Sequence, residues 1–308
     1  MKRLFWFGSI LSLVMPVQAL AQSPFDGTWR INLAESQSST KPEVYLLQDG
    51  TYRCPTCDLP LEIPADGRDH KITGEPCYDT VSVKVVDDRT TEETDKRNGK
   101  VVGTTRMTVS LDGNTATVEW TESCNAQGDV VAGKDIMARV SQRPRGAHGV
   151  SGSWRITKRM SRSDNALLVT LKLEGDTFSF ADPTGQSYAA KLDGTVTPYK
   201  GDPSNTMVSV KPIDEHTIEE TDKREGKIVE VTCFTVSADG KTMTVSMENK
   251  VNGITRNHPA VCRAQAVGSI TWHVTTRSAR DLWKSRWLRI DFSSERRTCC
   301  GGLAFNSV

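Results

Sequence analysis

The sequence predicts an all-β protein, built as two tandem antiparallel up-and-down β-barrel domains that arose by internal duplication. Three observations carry this expectation. A long segment of the first half recurs in the second, apolar and polar residues alternate at period two, and Asp-Gly and Asn-Gly pairs punctuate the alternation where hairpins turn. At 308 residues the length suits two domains, and 37% hydrophobic with 25% charged residues is the composition of a soluble globular chain. A formal charge of +1 removes any bulk electrostatic argument for nucleic acid as a partner.

From the N-terminus, Lys2 and Arg3 precede the apolar run Leu4 to Val17, and Ala19-Leu20-Ala21 ends it. This is the three-part pattern of a secretory signal peptide over 1–21, cleaved at about Ala21. The run is too short for the roughly 20 residues that span hydrocarbon, so no membrane span is expected. The mature chain is therefore placed in a secreted or periplasmic space, where disulfides persist.

Residues 81–118 align without a gap onto 208–245 with 24 of 38 positions identical. Glu92 to Arg97 and Glu219 to Arg224 both read EETDKR; Asp112-Gly113 falls on Asp239-Gly240, and Asn98-Gly99 on Glu225-Gly226. Gly27-Thr28-Trp29 and Gly152-Ser153-Trp154 open the copies. The expected organisation is a first β-domain over 22–142, a linker over 143–149 and a second β-domain over 150–263. In Thr80 to Val85 the valines face one way and the polar residues the other, and Met207 to Lys211 repeats that register. Val101 to Ser110, Thr115 to Thr121 and Lys134 to Ser141 are further strands, and no segment of either copy carries a helical stripe. Sequential short strands of this kind close on themselves to remove their edges.

The Gly-x-Trp openings resemble the first strand of lipocalin and calycin barrels. The DG-punctuated strands also resemble a group of uncharacterised exported bacterial proteins with duplicated "GTW" domains and "SADGKTMTV" hairpins. The lipocalin likeness implies a barrel that binds a small hydrophobic molecule, with Trp29 and Trp154 closing the barrel ends. It further implies a basic residue of the last strand over the Trp, a part that Arg139 could play for Trp29.

Among motifs with chemistry, Cys54-Pro55-Thr56-Cys57 is the sharpest. It could be a redox dithiol or half of a zinc knuckle, but no helix pattern and no second C-x-x-C follow. In the second copy Asp182-Pro183-Thr184-Gly185, a β-turn sequence, stands near the same place, so a disulfide across a turn is the preferred reading. Cys77 and Cys124 lie in loops of the same copy and could pair with each other; four cysteines allow three connectivities. Gly128 to Asp135 imitates a P-loop without its Ser/Thr or its helix, and reads as a turn. The EETDKR blocks place Glu92, Thr94 and Lys96 on one face and Glu93, Asp95 and Arg97 on the other. Two faces of mixed charge suggest a solvated hairpin, not a catalytic carboxylate pair.

Residues 264–308 break the pattern, with seven Lys/Arg against three Asp/Glu and three of the seven tryptophans. Arg280 to Phe292 could form a basic amphipathic helix for a membrane surface. The break in the repeat favours instead a shifted or rearranged end over 257–308 that deprives the second barrel of its closing strand. No enzyme motif and no cofactor are expected. The function expected is binding of a small or lipidic molecule by an exported, non-enzymatic protein. An envelope structural or protein-interaction module is the alternative, and a thiol redox protein the weaker one.

Overall fold

The computed structural model describes residues 23–36, 41–57, 59–250 and the backbone of 260–265. The expected signal peptide and all but two residues of the 264–308 tail lie outside the described residues, as does the amphipathic helix considered there. No described helix is long and apolar enough to cross a membrane.

The described residues form two ten-stranded antiparallel sheets. The first runs, edge to edge, β4 (Leu61–Pro64), β3 (Thr51–Cys54), β2 (Glu43–Gln48), β11 (Gly152–Arg162), β10 (Val131–Ser141), β9 (Thr115–Glu122), β8 (Lys100–Val109), β7 (Thr90–Arg97), β6 (Thr80–Asp87) and β5 (His70–Lys71). The second runs β14 (Ser187–Lys191), β13 (Thr177–Ala181), β12 (Leu168–Glu174), β1 (Gly27–Ile31), β20 (Ala260–Gln265), β19 (Thr242–Asn249), β18 (Lys227–Val236), β17 (Thr217–Arg224), β16 (Met207–Asp214) and β15 (Thr197–Pro198). The strands expected from alternation are all present, and the only described helical element is the 3-10 turn Asp164–Ala166. Asn98-Gly99 and Glu225-Gly226 adopt positive φ at both turn positions (52° and 78°, 49° and 78°), the geometry that joins two twisted strands in two residues.

Each sheet nearly closes on itself. In the first, Asp66 bridges Lys84 and the Gly67 amide donates to the Val83 carbonyl at 2.9 Å. In the second, Ser187 bridges Lys200 and the Gly194 amide donates to the Val210 carbonyl at 3.1 Å. Edge amides are thereby satisfied within the chain.

The sheets do not follow the expected boundaries 22–142 and 150–263. The opening strand of each sequence copy completes the other sheet: β1 lies between β12 and β20, and β11 between β10 and β2. The cores agree. Phe25 and Trp29 pack with Leu171, Phe178 and Phe234, whereas Val150 and Trp154 pack with Val81, Val83 and Met137. The ten-residue connection 142–151, pinned to Leu47 and Asp88, turns β11 back on β10 as an antiparallel neighbour. Residues 143–149 are accordingly part of the first barrel and not a linker. His148 N–H donates to Leu47 O at 2.9 Å, Gly149 N–H to Asp88 O at 3.1 Å, and Ala147 is buried. The chain crosses between the sheets after β1 and again after β11.

The second barrel also has the strand it was expected to lack. β20 pairs with β19 and β1 in the slot that β10 fills in the first barrel, although it is six residues long against eleven. Ladder bonds are made by backbone, so a segment of altered side-chain pattern still fills the slot.

Candidate functional site

The two opening tryptophans are fully buried, and each donates its indole N–H four residues back, Trp29 to Phe25 O at 2.9 Å and Trp154 to Val150 O at 2.8 Å. Arg139 does not serve Trp29. Its guanidinium lies over the Trp154 ring at 4.0 Å, because β10 pairs with β11 and Arg139 faces Trp154 in the register. It also donates to the carbonyls of Gly113, Gly149 and Ser151. Opposite Trp29 stands Ala264, so the Arg over Trp arrangement belongs to the first barrel.

Both expected disulfides are present. Cys54 and Cys57 are joined across a tight turn with Cα atoms 5.5 Å apart, and Cys77 is joined to Cys124. Cys54 ends β3, residues 55–57 turn and β4 follows at Leu61, so no helix N-terminus of the kind that activates a thiol stands at Cys54. Cys233 is buried in the second barrel. Of Gly128 to Asp135, only Gly128 takes part in a turn, its N–H donating to Asn125 O at 3.1 Å, and Val131 to Asp135 are already strand β10.

All four paired cysteines line one cavity of about 410 Å³ in the first barrel. Two of its other wall residues, Glu93 and Asp95, belong to the block expected to form a solvated hairpin. Glu93 stands opposite Val83 and Asp95 opposite Val81, and both valines are core residues. Residues directly opposite on antiparallel strands share a face, so the two carboxylates point inward. The second copy repeats this, Glu220 opposite Val210 and Asp222 opposite Val208. The inward valines were legible, and the β6–β7 turn would have carried their face onto Glu93 and Asp95. The EETDKR faces were assigned from β7 alone, without its partner.

Inward charge needs room and partners. Gly103 faces Asp95 across the ladder, and a Cβ there would lie 2.6 Å from Asp95 Oδ2. Glu43 accepts from the Tyr45 hydroxyl at 2.5 Å, Tyr45 stacks on Tyr52, and Glu75 and Glu122 line the remaining wall. Burial, and then Asp95, pushes the Glu93 carboxyl up to about 8; burial and Glu75 push Asp95 to about 6. Burial raises Glu122 as well, and burial together with Glu43 raises the Tyr45 phenol.

The second barrel holds its pair differently. Tyr188 donates to Glu220, stacks on Phe180 at 5.5 Å and meets Tyr199 edge-on at 5.4 Å. In the first barrel the corresponding opposed pair is Leu61 and Cys54, with no such aromatic stack. Burial and Asp222 raise Glu220, and burial raises Asp222 to about 6 against the opposing pull of Glu220 and Arg224. A cavity of about 340 Å³ opens on this pair.

The two cavities share walls. Glu122 and Cys124 line both, while a seam of about 240 Å³ has Glu75 in common with the first and Asp222 and Glu230 in common with the second. The three openings adjoin through these shared, mostly acidic residues as a composite chamber with walls from both barrels. Among the described residues, no three His, Cys, Asp or Glu side chains converge as a metal ion would require.

The Glu93 carboxyl gives a test of this geometry. An acid held above its unfolded value costs nothing at low pH, where both states are protonated, and costs stability as pH rises through the window between about 4.5 and 8. Glu93→Gln is therefore expected to match the parent in urea stability at pH 4 and exceed it at pH 8 by more than about 1.4 kcal/mol, the worth of one pKa unit. Equal stabilities at pH 8 would place Glu93 in solvent.

Set against known proteins, the chain matches no family model and no curated sequence.

Proposed function

We propose that this protein is an exported, non-enzymatic binder of a small molecule, held in the chamber that its barrels enclose. The observation that carries the reading is the 410 Å³ cavity in the first barrel, which falls in the range of small-ligand sites and is walled by polar and aromatic side chains carried on strands. A barrel evolved only as a structural module would gain stability by filling that volume with side chains, as cores do. The acidic wall favours a polar ligand over the lipidic one that lipocalin likeness implies, since apolar cargo would leave Glu93 and Asp95 buried and unpaired. Two disulfides in the wall suit a secreted or periplasmic location after cleavage near Ala21, where they would hold the cavity open.

Native mass spectrometry of the protein recovered from its own exporting host tests this. The expected result is a fraction carrying one extra small-molecule mass, lost in Thr105→Trp, which fills the cavity wall. A parent protein of bare mass that takes up nothing from a host metabolite extract would favour the structural-module reading.

A further inference from the structure

We infer that the chamber between the barrels receives an organic ammonium ion, an aliphatic amine or polyamine, with Glu93 and Asp95 at one end and Glu220 and Asp222 at the other. The inference rests on the binding function proposed above and names its ligand class.

Four observations converge on it. The chamber is a built space, with walls from both barrels joined through Glu75, Glu122 and Glu230. Its charge is mainly negative: among the described residues no Lys, Arg or His lines the first or second cavity and Arg224 lines the seam, while Arg106, Lys134 and Arg162 line a separate cavity of about 610 Å³ that Glu93 also borders. Two carboxylate oxygens are buried without a hydrogen-bond partner among the described residues, Asp95 Oδ1 and Asp222 Oδ1, and Asp222 as a whole is only 9% exposed. Buried acceptors left unpaired are costly, and the cost is recovered when a donor arrives. The acids are also dispersed over the cavity walls, with no three converging among the described residues, a layout that suits N–H donors separated by a carbon chain.

An ammonium fits the remaining chemistry. It offers three N–H donors to carboxylates, and its carbon chain can lie against Leu59, Leu61 and Tyr78, where cation–π attraction adds to binding. The groups facing the first carboxylate pair are Glu43 and Tyr45 on β2, Tyr52 on β3, Glu75 and Tyr78 before β6, and Glu122 at the end of β9. Of the nearby cations, Arg159 is drawn by the charges of Asp135 and Glu43, Arg224 by those of Asp202 and Asp222, and Arg162 lies over the Trp120 ring at 4.8 Å while paired with Asp135 at 2.8 Å. Binding must then ionise carboxyls held above their ordinary range, so it releases protons and tightens between pH 6 and 8.

Isothermal titration of the mature, oxidised protein with spermidine, putrescine and, as a neutral chain, 1,4-butanediol tests this at fixed ionic strength. The expected result is saturable binding of an amine with proton release and no binding of the diol. Asp95→Asn and Asp222→Asn, each checked for an unchanged thermal transition, should weaken it at least tenfold. Magnesium at equal ionic strength should not displace the amine. No saturable amine binding, binding indifferent to both variants, or equal displacement by magnesium overturns the inference. A neutral or anionic ligand found by native mass spectrometry overturns it while sparing the binding function, and absence of both ligand and amine binding overturns the two together.

Discussion

Trp154→Ala is expected to destabilise the protein by about 3–5 kcal/mol, the cost of removing a large aromatic ring from a packed core. The side chain is fully buried, so the vacated volume cannot be taken up by solvent or by an outward shift. Three further losses accompany the cavity. Val150 O loses the indole N–H, Arg139 loses the ring beneath its guanidinium, and β11 loses the residue that anchors it between β10 and β2. Arg139→Met separates these contributions. It keeps much of the aliphatic stem but leaves the carbonyls of Gly113, Gly149 and Ser151 without their donor, which should cost about 1–3 kcal/mol. The double variant should be less unstable than the sum by about 1–2 kcal/mol, the worth of a desolvated cation–π contact. Urea unfolding followed by Trp fluorescence and far-UV dichroism measures all three. Strict additivity would mean that Arg139 and Trp154 do not act together.

The second large effect concerns the disulfides, whose contributions should be unequal. Cys77 and Cys124 are separated by 47 residues and Cys54 and Cys57 by 3. On the chain-entropy account, the long link restrains the unfolded state by about 4 kcal/mol and the short one by about 2. Replacing Cys77 and Cys124 by serine should therefore lower the urea midpoint roughly twice as far as replacing Cys54 and Cys57. Cys77 and Cys124 also tie the loop before β6 to the loop after β9 across the cavity mouth, so the double variant should take up a small ligand less tightly. Equal midpoint losses would mean that the two links act through the native state and not through loop closure.

Much of the fold could be read directly. Alternation in Thr80 to Val85 predicted β6, and Asn98-Gly99 predicted a two-residue turn because few residue pairs accept positive φ twice. Turn chemistry around Cys54 and Cys57 favoured a disulfide there, whereas the link of Cys77 to Cys124 was one of three open connectivities that the tertiary structure decided. The carboxylates of the site were missed. Glu93 and Asp95 lie on a strand that is polar throughout, and a polar strand gives no internal sign of which face is inside. The face is set by Val81 and Val83 on the neighbouring strand, and the chamber arises only where two barrels meet.

What the sequence determined by itself is what depends on neighbours along the chain: strand class, turn positions, the repeat, and a balance of 30 basic to 35 acidic residues over 22–263. What the tertiary structure decided is which copy each opening strand joins and which charges are enclosed. Trp29 and Trp154 sit in equivalent motifs, and nothing local distinguishes pairing within a copy from pairing across copies. The backbone ladder is indifferent to that choice. The connection after β10, held against Leu47 and Asp88, makes it, bringing Trp154 under Arg139, and the closing of each sheet then carries Glu93, Asp95, Glu220 and Asp222 away from water.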